Sequence, residues 1–242
     1  MNVYEDQEIL AQYLLFHYGS DAELMPYSFG PKEALNFPKR CVSELVDFKG
    51  AKALDLGCSV GRSSFELTKH FDSVLGIDYS QAFIDSANEL KKNKSISLKI
   101  QEEGDLYKDV KVSLPEDVFA KKVSFLKGDA QDIKEEHYDN DLVLACNLLC
   151  RLPEPVAFLK SVKNLVKKGG KLILVSPYSW LEEFTEKEKW LSKESVSSEQ
   201  FIDSVLKENF SLTNKKEMPF LIREHKRKFQ WSVSQALVYL RR

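Results

Sequence analysis

Residues 53–61 constrain the fold more strongly than any other part of this 242-residue chain. They form an apolar run that ends at Asp55, and the chain then turns through Gly57 and Gly61 before a helical pattern begins. Glycine lets the backbone approach a ligand closely and adopt a positive φ. An apolar strand followed by such a turn and a helix predicts an open α/β sheet whose ligand binds beyond the carboxyl ends of the strands.

A second acidic residue follows the next apolar run. Residues 73–78 predict a short strand that ends in Asp78. In Rossmann-like units, a carboxylate about twenty residues after the glycine turn accepts hydrogen bonds from ribose hydroxyls. Asp55, at the end of the first strand, is placed to attract a cationic ammonium group. Acids on two successive strand ends therefore predict a ligand that carries both a ribose and an amino group.

Three other interpretations of the turn are open. Residues 57–61 also satisfy the G-x-S-x-G pattern of the α/β-hydrolase nucleophile elbow, but no His-Gly-Gly run precedes them. The dinucleotide pattern G-x-G-x-x-G requires glycine where the chain has Ser59 and Arg62. The third interpretation is a tight turn that binds no ligand. The two acidic strand ends favour a ligand-binding turn over all three.

The chain is long enough to bury a full hydrophobic core, and a single domain is the default at this size. Residues 1–50 form an N-terminal extension that is predicted to be helical around Glu8 to Tyr18 and then to continue as a loop that includes Pro38. Its many aromatic residues suit a segment that covers a pocket. We therefore expect a cap over residues 1–50 and the main domain over residues 51–242.

The remaining segments predict the order of the sheet. Residues 95–114 alternate between apolar and polar types and indicate an inserted hairpin. Gly169 and Gly170 are predicted to end a helix with a left-handed cap. Further strands are predicted over 123–127, 141–145, 171–175, 212–223 and 228–240, with a helix near 198–206. This order predicts a Rossmann-like α/β fold with seven strands, mostly parallel, and an antiparallel C-terminal strand.

The charge balance and the cysteines argue against several classes of function. The net charge is only −2, so nothing indicates nucleic acid or an anionic membrane surface as the main partner. No apolar run reaches the roughly 18 residues of a membrane span, and the start of the chain lacks a signal-peptide pattern. We therefore expect a cytoplasmic protein. The four cysteines show no paired C-x-x-C spacing, which predicts free thiols and no metal site.

Several strings resemble those of a known family. They lie at 13–19, 55–62, 176–185, 188–191, 219–224 and 227–230. The segment order resembles the class I S-adenosylmethionine-dependent methyltransferases. The strings more closely resemble the methyltransferase of ovothiol biosynthesis, which methylates a ring nitrogen of 5-thiohistidine, also called 4-mercaptohistidine. That family often forms the C-terminal domain of a sulfoxide synthase, so a separate synthase is the expected source of the substrate here.

The resemblance implies a site for S-adenosylmethionine, with S-adenosylhomocysteine as the product. In this class the aspartate after the third strand, here Asp129, accepts a hydrogen bond from the adenine amino group. The resemblance also implies that Asn147, after the fourth strand, faces the transferred methyl group. The expected cofactor-binding residues are Asp55, Gly57, Cys58, Gly61, Arg62, Asp78, Tyr79, Gly128, Asp129, Ala130 and Asn147.

The resemblance further implies a site for the methyl acceptor. The expected substrate-binding residues are Tyr13, His17, Arg40, Arg151, Tyr178, Trp180 and Arg223. One of the three arginines is expected to bind the substrate carboxylate, and Tyr178 and Trp180 are expected to stack on the imidazole. The catalytic candidates are His17, Tyr18 and Asn147. His17 is the preferred proton acceptor, with the acids at 102 and 103 as alternatives.

Two other functions share the same cofactor half of the site. The first is methylation of another small nitrogen, oxygen or sulfur nucleophile. The second is a catalytically silent methyltransferase fold that serves as a partner subunit for a synthase. The intact acids and glycines at the strand ends argue against the silent fold, because a scaffold that binds no cofactor has no physical need for them.

Overall fold

The computed structural model describes residues 3–242. Its α-helices are α1 (Gln7–Tyr18), α2 (Asp21–Leu24), α3 (Phe37–Ser43), α4 (Arg62–Leu67), α5 (Gln81–Asn93), α6 (Pro155–Leu165) and α7 (Ser198–Leu206). Its strands are β1 (Gly50–Leu56), β2 (Phe71–Asp78), β3 (Ser95–Glu103), β4 (Leu106–Ser113), β5 (Val123–Lys127), β6 (Asn140–Cys146), β7 (Val166–Ser176), β8 (Phe210–His225) and β9 (Lys228–Arg241).

The main sheet has seven strands in the order β5-β2-β1-β6-β7-β9-β8. The first five of these pair in parallel, and β9 runs antiparallel to both of its neighbours. The predicted fold class is therefore confirmed. The strand order reverses between β1 and β6, and this switch point is where open α/β sheets bind their ligands.

Two hydrophobic layers cover the sheet. One layer contains the buried side chains of α1, α3, α4 and α5, and the other contains those of α6 and α7. Strand β6 lies between the two layers and is buried from Asn140 through Ala145, as its unbroken apolar run predicts. The sheet thus lies at the centre of the core, and its carboxyl edge carries the loops that follow β1, β2, β5, β6 and β7.

The inserted hairpin forms as predicted. Strands β3 and β4 pair with each other in a separate two-stranded sheet that packs against α1 and β8. The backbone N–H of Lys226, in the turn between β8 and β9, donates to the carbonyl of Glu102 at 3.3 Å. The hairpin therefore joins the N-terminal helix to the C-terminal ribbon of β8 and β9.

Two local predictions are wrong. Helix α6 ends at Leu165, and Val166 already begins β7, so the glycine pair does not cap the helix. Gly169 does have a positive φ of 77°, but it lies in an irregular stretch of β7 where the pairing register with β6 shifts. Pro38 is not in a loop: it lies in the first turn of α3, where a missing N–H costs nothing.

No helix within residues 3–242 is long and apolar enough to cross a membrane.

Candidate active site

The loop after β1 is shaped for close approach by a ligand. Gly57 has a φ of 68°, and the carbonyl of Ile77 accepts the N–H groups of Gly57 at 2.8 Å and of Cys58 at 3.1 Å. Gly61 has a φ of 87° and is the N-cap residue of α4, and a Cβ there would lie only 2.7 Å from the ring of Phe125. Both glycines are therefore required by backbone conformation, and Gly61 also by packing.

Asp55 is buried at the base of this loop. Its Oδ2 accepts hydrogen bonds from the hydroxyls of Ser63 at 2.7 Å and Ser64 at 2.6 Å, on the first turn of α4. Burial raises the pKa of Asp55 to about 6, although the two hydroxyls act in the opposite direction. The two serines stand directly after Arg62 in the sequence, and our sequence analysis missed them.

Asp78 joins the loop after β1 to the end of β2. Its Oδ2 accepts the N–H of Ser59 at 2.8 Å, and its Oδ1 accepts the N–H of Ser80 at 2.9 Å. Burial raises the pKa of Asp78, and the backbone hydrogen bonds partly oppose this shift. Each oxygen keeps a further lone pair for a ribose hydroxyl.

The end of β5 lies beside the end of β2. The N–H of Gly128 donates to the carbonyl of Asp78 at 2.9 Å, which brings residues 128–130 next to Asp78. Asp129 is exposed and Ala130 is buried, while the Tyr79 side chain is 64% exposed and available to stack on a ligand. The structure thus brings the expected ribose and adenine contacts together.

Asn147 lies on the other side of the switch point, directly after β6. Its φ is 53°, its N–H donates to the Val175 carbonyl at 2.7 Å, and its Oδ1 accepts the hydroxyl of Ser234 at 2.8 Å. The next residue, Leu148, would be 3.1 Å from a Cβ at Gly57. The loop after β6 therefore packs against the loop after β1, and the sequence carries no signal for the serine partner.

Helix α1 packs onto the loop after β1. The hydroxyl of Tyr18 donates to the Val60 carbonyl at 2.8 Å. Arg62 donates to the His17 carbonyl at 2.9 Å and to the carboxylate of Glu66 at 2.8 Å, and its guanidinium lies over the ring of Tyr18. The side chains of Arg62 and Tyr18 thus tie the cap to the main domain, and this use argues against their expected cofactor-binding and catalytic roles.

The environment of His17 argues against its expected role as proton acceptor. The side chain is buried, and desolvation together with the nearby Arg62 lowers its pKa to about 3. A general base works best with a pKa near the operating pH, so an imidazole with so low a pKa is a poor proton acceptor. Its Nδ1 has no hydrogen-bond partner among the described residues, which leaves His17 as a neutral packing residue of the cap.

The segment before α1 closes over the same edge of the sheet, through Tyr4 and Glu5, which our sequence analysis did not single out within the expected cap. The carboxylate of Glu5 accepts the N–H groups of Gln81 at 2.8 Å and of Ala82 at 3.2 Å, at the start of α5. The Tyr4 ring lies 5.6 Å from Phe83 and 6.2 Å from Phe184, measured between centroids. This segment therefore reaches from the end of β2 to the loop after β7.

Three expected substrate-binding residues lie at this edge. The Tyr13 ring is 5.8 Å from that of Tyr4, and the Arg151 guanidinium is 5.0 Å from the ring centre of Phe184. Tyr178 follows β7 with a φ of 51°, and its hydroxyl donates to Gln235 at 3.0 Å. Tyr13, Arg151 and Tyr178 therefore remain candidates for binding the acceptor.

Three other expected substrate-binding residues point elsewhere. Arg40 donates to Glu44 and to the Pro219 carbonyl, which ties α3 to β8. Trp180 is buried against α7, where its indole N–H donates to a serine at 3.2 Å. Arg223 is buried in an ion pair with Glu102 of the hairpin. Each side chain is already bound within the protein, so we withdraw these three as acceptor contacts.

The cysteines and the possible metal ligands add no further functional group to this site. The four cysteines are free thiols, and burial raises the pKa of Cys58 well above its ordinary value. Within residues 3–242 no cluster of three or more histidine, cysteine, aspartate or glutamate side chains is arranged to hold a metal ion. The site described so far therefore consists of the glycines of the loop after β1, the acids Asp55, Asp78 and Asp129, Asn147, the aromatic residues of the cap, and Arg151 after β6.

Comparison with known proteins assigns the chain to a family. A protein-family model with the description "Methyltransferase domain" matches residues 54–174, which is half of the chain. Two curated relatives are named "Ubiquinone biosynthesis O-methyltransferase". The one from Coxiella burnetii is 27% identical over 131 residues, covering 54% of this chain and 45% of the relative. The one from Xanthomonas oryzae is 27% identical over 146 residues, covering 60% and 51%. The chain thus spans about half the length of these relatives.

A solved structure, the "SAM dependent methyltransferase from Aquifex aeolicus", has the same fold over most of the chain. It superposes with a TM-score of 0.56 at 16% identity and covers 97% of this chain and 98% of its own. The family match spans β1 to β7, and therefore includes the glycine loop, both acidic strand ends and Asn147. The chain accordingly belongs to the methyltransferase domain family and is a class I S-adenosylmethionine-dependent methyltransferase.

Proposed function

We propose that this enzyme transfers the methyl group of S-adenosylmethionine to a ring nitrogen of 5-thiohistidine. The products are N-methyl-5-thiohistidine and S-adenosylhomocysteine. The observation that carries the proposal is the aromatic and cationic lining of the acceptor side, formed by Tyr4, Tyr13, Arg151 and Phe184. The sequence resemblance to ovothiol methyltransferases supports the same acceptor.

The residues of the cofactor side fit S-adenosylmethionine. Asp78 would hold the ribose, Asp129 the adenine amino group, and the open backbone at Gly57 leaves room for the amino acid part. Asp55 is buried and shared with two serines, so it acts on that part through the loop it supports. When bound, the cofactor supplies an electrophilic methyl group on a sulfonium, and the protein's task is to position the acceptor for in-line attack.

Arg151 suits the carboxylate of an amino acid acceptor. Its guanidinium donates to the carbonyls of Cys150 at 3.0 Å and Ser179 at 2.8 Å, and none of its partners among the described residues is a carboxylate. These hydrogen bonds orient the planar group and leave its charge uncompensated. An uncompensated arginine between aromatic rings favours a small, flat acceptor with a negative group.

Methylation of this acceptor does not require a strong general base. An imidazole beside a thiolate is electron-rich, and its attacking nitrogen has only to carry a free lone pair. Correct placement of such a nitrogen supplies much of the rate enhancement. His17 is neutral and too weakly basic to take the proton, which is consistent with this requirement.

A second candidate function is methyl transfer to a phenolic oxygen. It is favoured by the names of the curated relatives, which are O-methyltransferases of ubiquinone biosynthesis. A phenol must lose a proton to become a good nucleophile, whereas the imidazole of 5-thiohistidine need only present its neutral nitrogen. The two acceptors therefore differ in what they require of the site.

The deciding experiment compares the two acceptors on one enzyme preparation. We expect kcat/KM for 5-thiohistidine to exceed that for a catechol or for histidine by at least about a hundredfold, the difference made by two or so lost polar contacts. In Arg151→Met, the KM for 5-thiohistidine should rise about tenfold while binding of S-adenosylmethionine stays unchanged. A catechol as the better substrate would replace the proposal with O-methylation.

A further inference from the structure

Asn147 is anchored by two strands of the sheet. Its backbone N–H donates to Val175 in β7, and its side-chain Oδ1 accepts the hydroxyl of Ser234 in β9. Ser234 is 0% exposed, so its hydroxyl cannot exchange this partner for water. The positive φ of Asn147 is unusual for a residue with a side chain, and the two hydrogen bonds hold it in place.

The anchored amide has two chemically different edges. Its oxygen accepts hydrogen bonds, and its NH2 group donates them. Because the oxygen faces the buried Ser234, the NH2 group is on the opposite branch of the side chain, away from β9. Among residues 3–242 no group accepts a hydrogen bond from this NH2, and Asn147 is only half-buried at the switch point.

We infer that Ser234 is a positioning residue that turns the NH2 group of Asn147 toward the methyl acceptor. Asn147 then donates a hydrogen bond to an electron-rich atom beside the attacking nitrogen. The inference rests on the proposed function for the identity of that atom, which in 5-thiohistidine is the sulfur. A donor at this place selects acceptors that carry a negative or lone-pair group next to the nucleophile.

The reverse arrangement makes the opposite prediction. If the NH2 group donated to the Ser234 oxygen, the amide oxygen would face the methyl acceptor and would accept a hydrogen bond from it. An aspartate at position 147 carries two acceptor oxygens and no donor. Asn147→Asp would therefore preserve the contact in the reverse arrangement and destroy it in the arrangement seen here.

The kinetic test uses Asn147→Asp, Ser234→Ala, their combination and a matched control, Thr213→Val. Thr213 lies in β8 and donates its hydroxyl to the Val238 carbonyl at 3.0 Å, so the control loses a hydroxyl of the same ribbon away from the site. We expect kcat with 5-thiohistidine to fall about a hundredfold in Asn147→Asp and about five- to tenfold in Ser234→Ala, the latter being the effect of one neutral hydrogen bond.

The affinity for S-adenosylmethionine, measured by calorimetry, should stay within about twofold in all variants, and Thr213→Val should match the wild type. Adding Ser234→Ala to Asn147→Asp should cause no further loss, because a carboxylate has no distinct edges for the serine to orient. Full activity of Asn147→Asp would overturn the inference, and so would additive losses in the combined variant.

A second readout needs no substrate. The side-chain NH2 signals of Asn147 in a ¹⁵N spectrum are identified by their disappearance in Asn147→Asp. In the wild type they should form one pair of sharp peaks, and in Ser234→Ala they should shift and broaden or double as the amide rotates. Unchanged peaks in Ser234→Ala would refute the positioning role, whether or not 5-thiohistidine is a substrate. If 5-thiohistidine is not methylated but the peaks change, only the proposed acceptor fails.

Discussion

Replacement of Gly61 by alanine tests the packing of the cofactor loop. Two costs apply. The φ of 87° is unfavourable for any residue with a Cβ, at about 1–2 kcal/mol. The new Cβ would also lie 2.7 Å from two ring atoms of the buried Phe125 and 3.2 Å from the Cβ of Ala87, and relief of such overpacking costs about 1–3 kcal/mol. We expect the free energy of unfolding to fall by about 2–5 kcal/mol.

Gly169→Ala is the matched control. Gly169 has a similar φ of 77°, but nothing lies within 4 Å of a Cβ built there. It should therefore show the conformational cost alone, about 1–2 kcal/mol. Urea unfolding of both variants and the wild type measures the two costs separately, with calorimetry of S-adenosylmethionine binding alongside.

The difference between the variants isolates the contact with Phe125. We expect Gly61→Ala to be less stable than Gly169→Ala by at least about 1 kcal/mol and to bind S-adenosylmethionine more weakly. Equal stability of the two variants would refute the reasoning, since it would mean that Phe125 yields without cost and that only backbone conformation requires the glycine.

Three further predictions concern the acids and the hairpin. Asp78→Ala should raise the Kd for S-adenosylmethionine about tenfold to a hundredfold, the effect of losing hydrogen bonds to a charged group; an unchanged Kd in calorimetry would remove its ribose role. The native pKa of Asp55 is about 6, above its ordinary value of 3.8, so its contribution to stability is present below pH 3.8 and is lost as the pH rises toward 6. Asp55→Asn should therefore gain stability relative to the wild type across that range, by on the order of 3 kcal/mol, in urea unfolding at pH 4 and pH 7; a constant difference would contradict this. Arg223→Met should lose about 1–3 kcal/mol, because Glu102 is left with only the more exposed Lys226 as a partner, and Arg223→Met with Glu102→Gln should recover part of that loss; no recovery would show that the arginine stabilises the fold through its other contacts, such as its hydrogen bond to the Glu23 carbonyl.

The positions at the strand ends could be predicted from the sequence. The runs before Asp55, Asp78 and Asn147 are apolar and short, and each is followed by polar or glycine residues. In a parallel sheet the carboxyl ends of the strands meet at one edge, so these residues come together without any knowledge of distant contacts. The fold class could be predicted for the same reason.

The partners of long side chains could not be predicted in this way. Arg223 is as suitable for a substrate carboxylate as Arg151 when only the sequence is considered. In the fold its partner is Glu102, 121 residues away, because the inserted hairpin packs against the end of β8. Only the tertiary structure reveals that this arginine is already paired.

Burial likewise changes the role of a residue whose type alone suggests catalysis. His17 lies in an aromatic helix that was expected to cover the site, but the sequence does not say which side of the helix faces the protein. The side chain points inward beside Arg62, and this lowers its pKa too far for a base. Ser234 was missed for a different reason: a single serine in a long strand carries no signal until strand pairing places it beside Asn147.

The central claim is tested most directly by following a labelled methyl group. Purified enzyme is incubated with S-adenosylmethionine carrying a ¹³C-methyl group and with 5-thiohistidine, and the product is examined by mass spectrometry and NMR. The account predicts a single labelled methyl on a ring nitrogen, formed with one equivalent of S-adenosylhomocysteine. A labelled methyl on sulfur, or no transfer while the cofactor is bound, would contradict it.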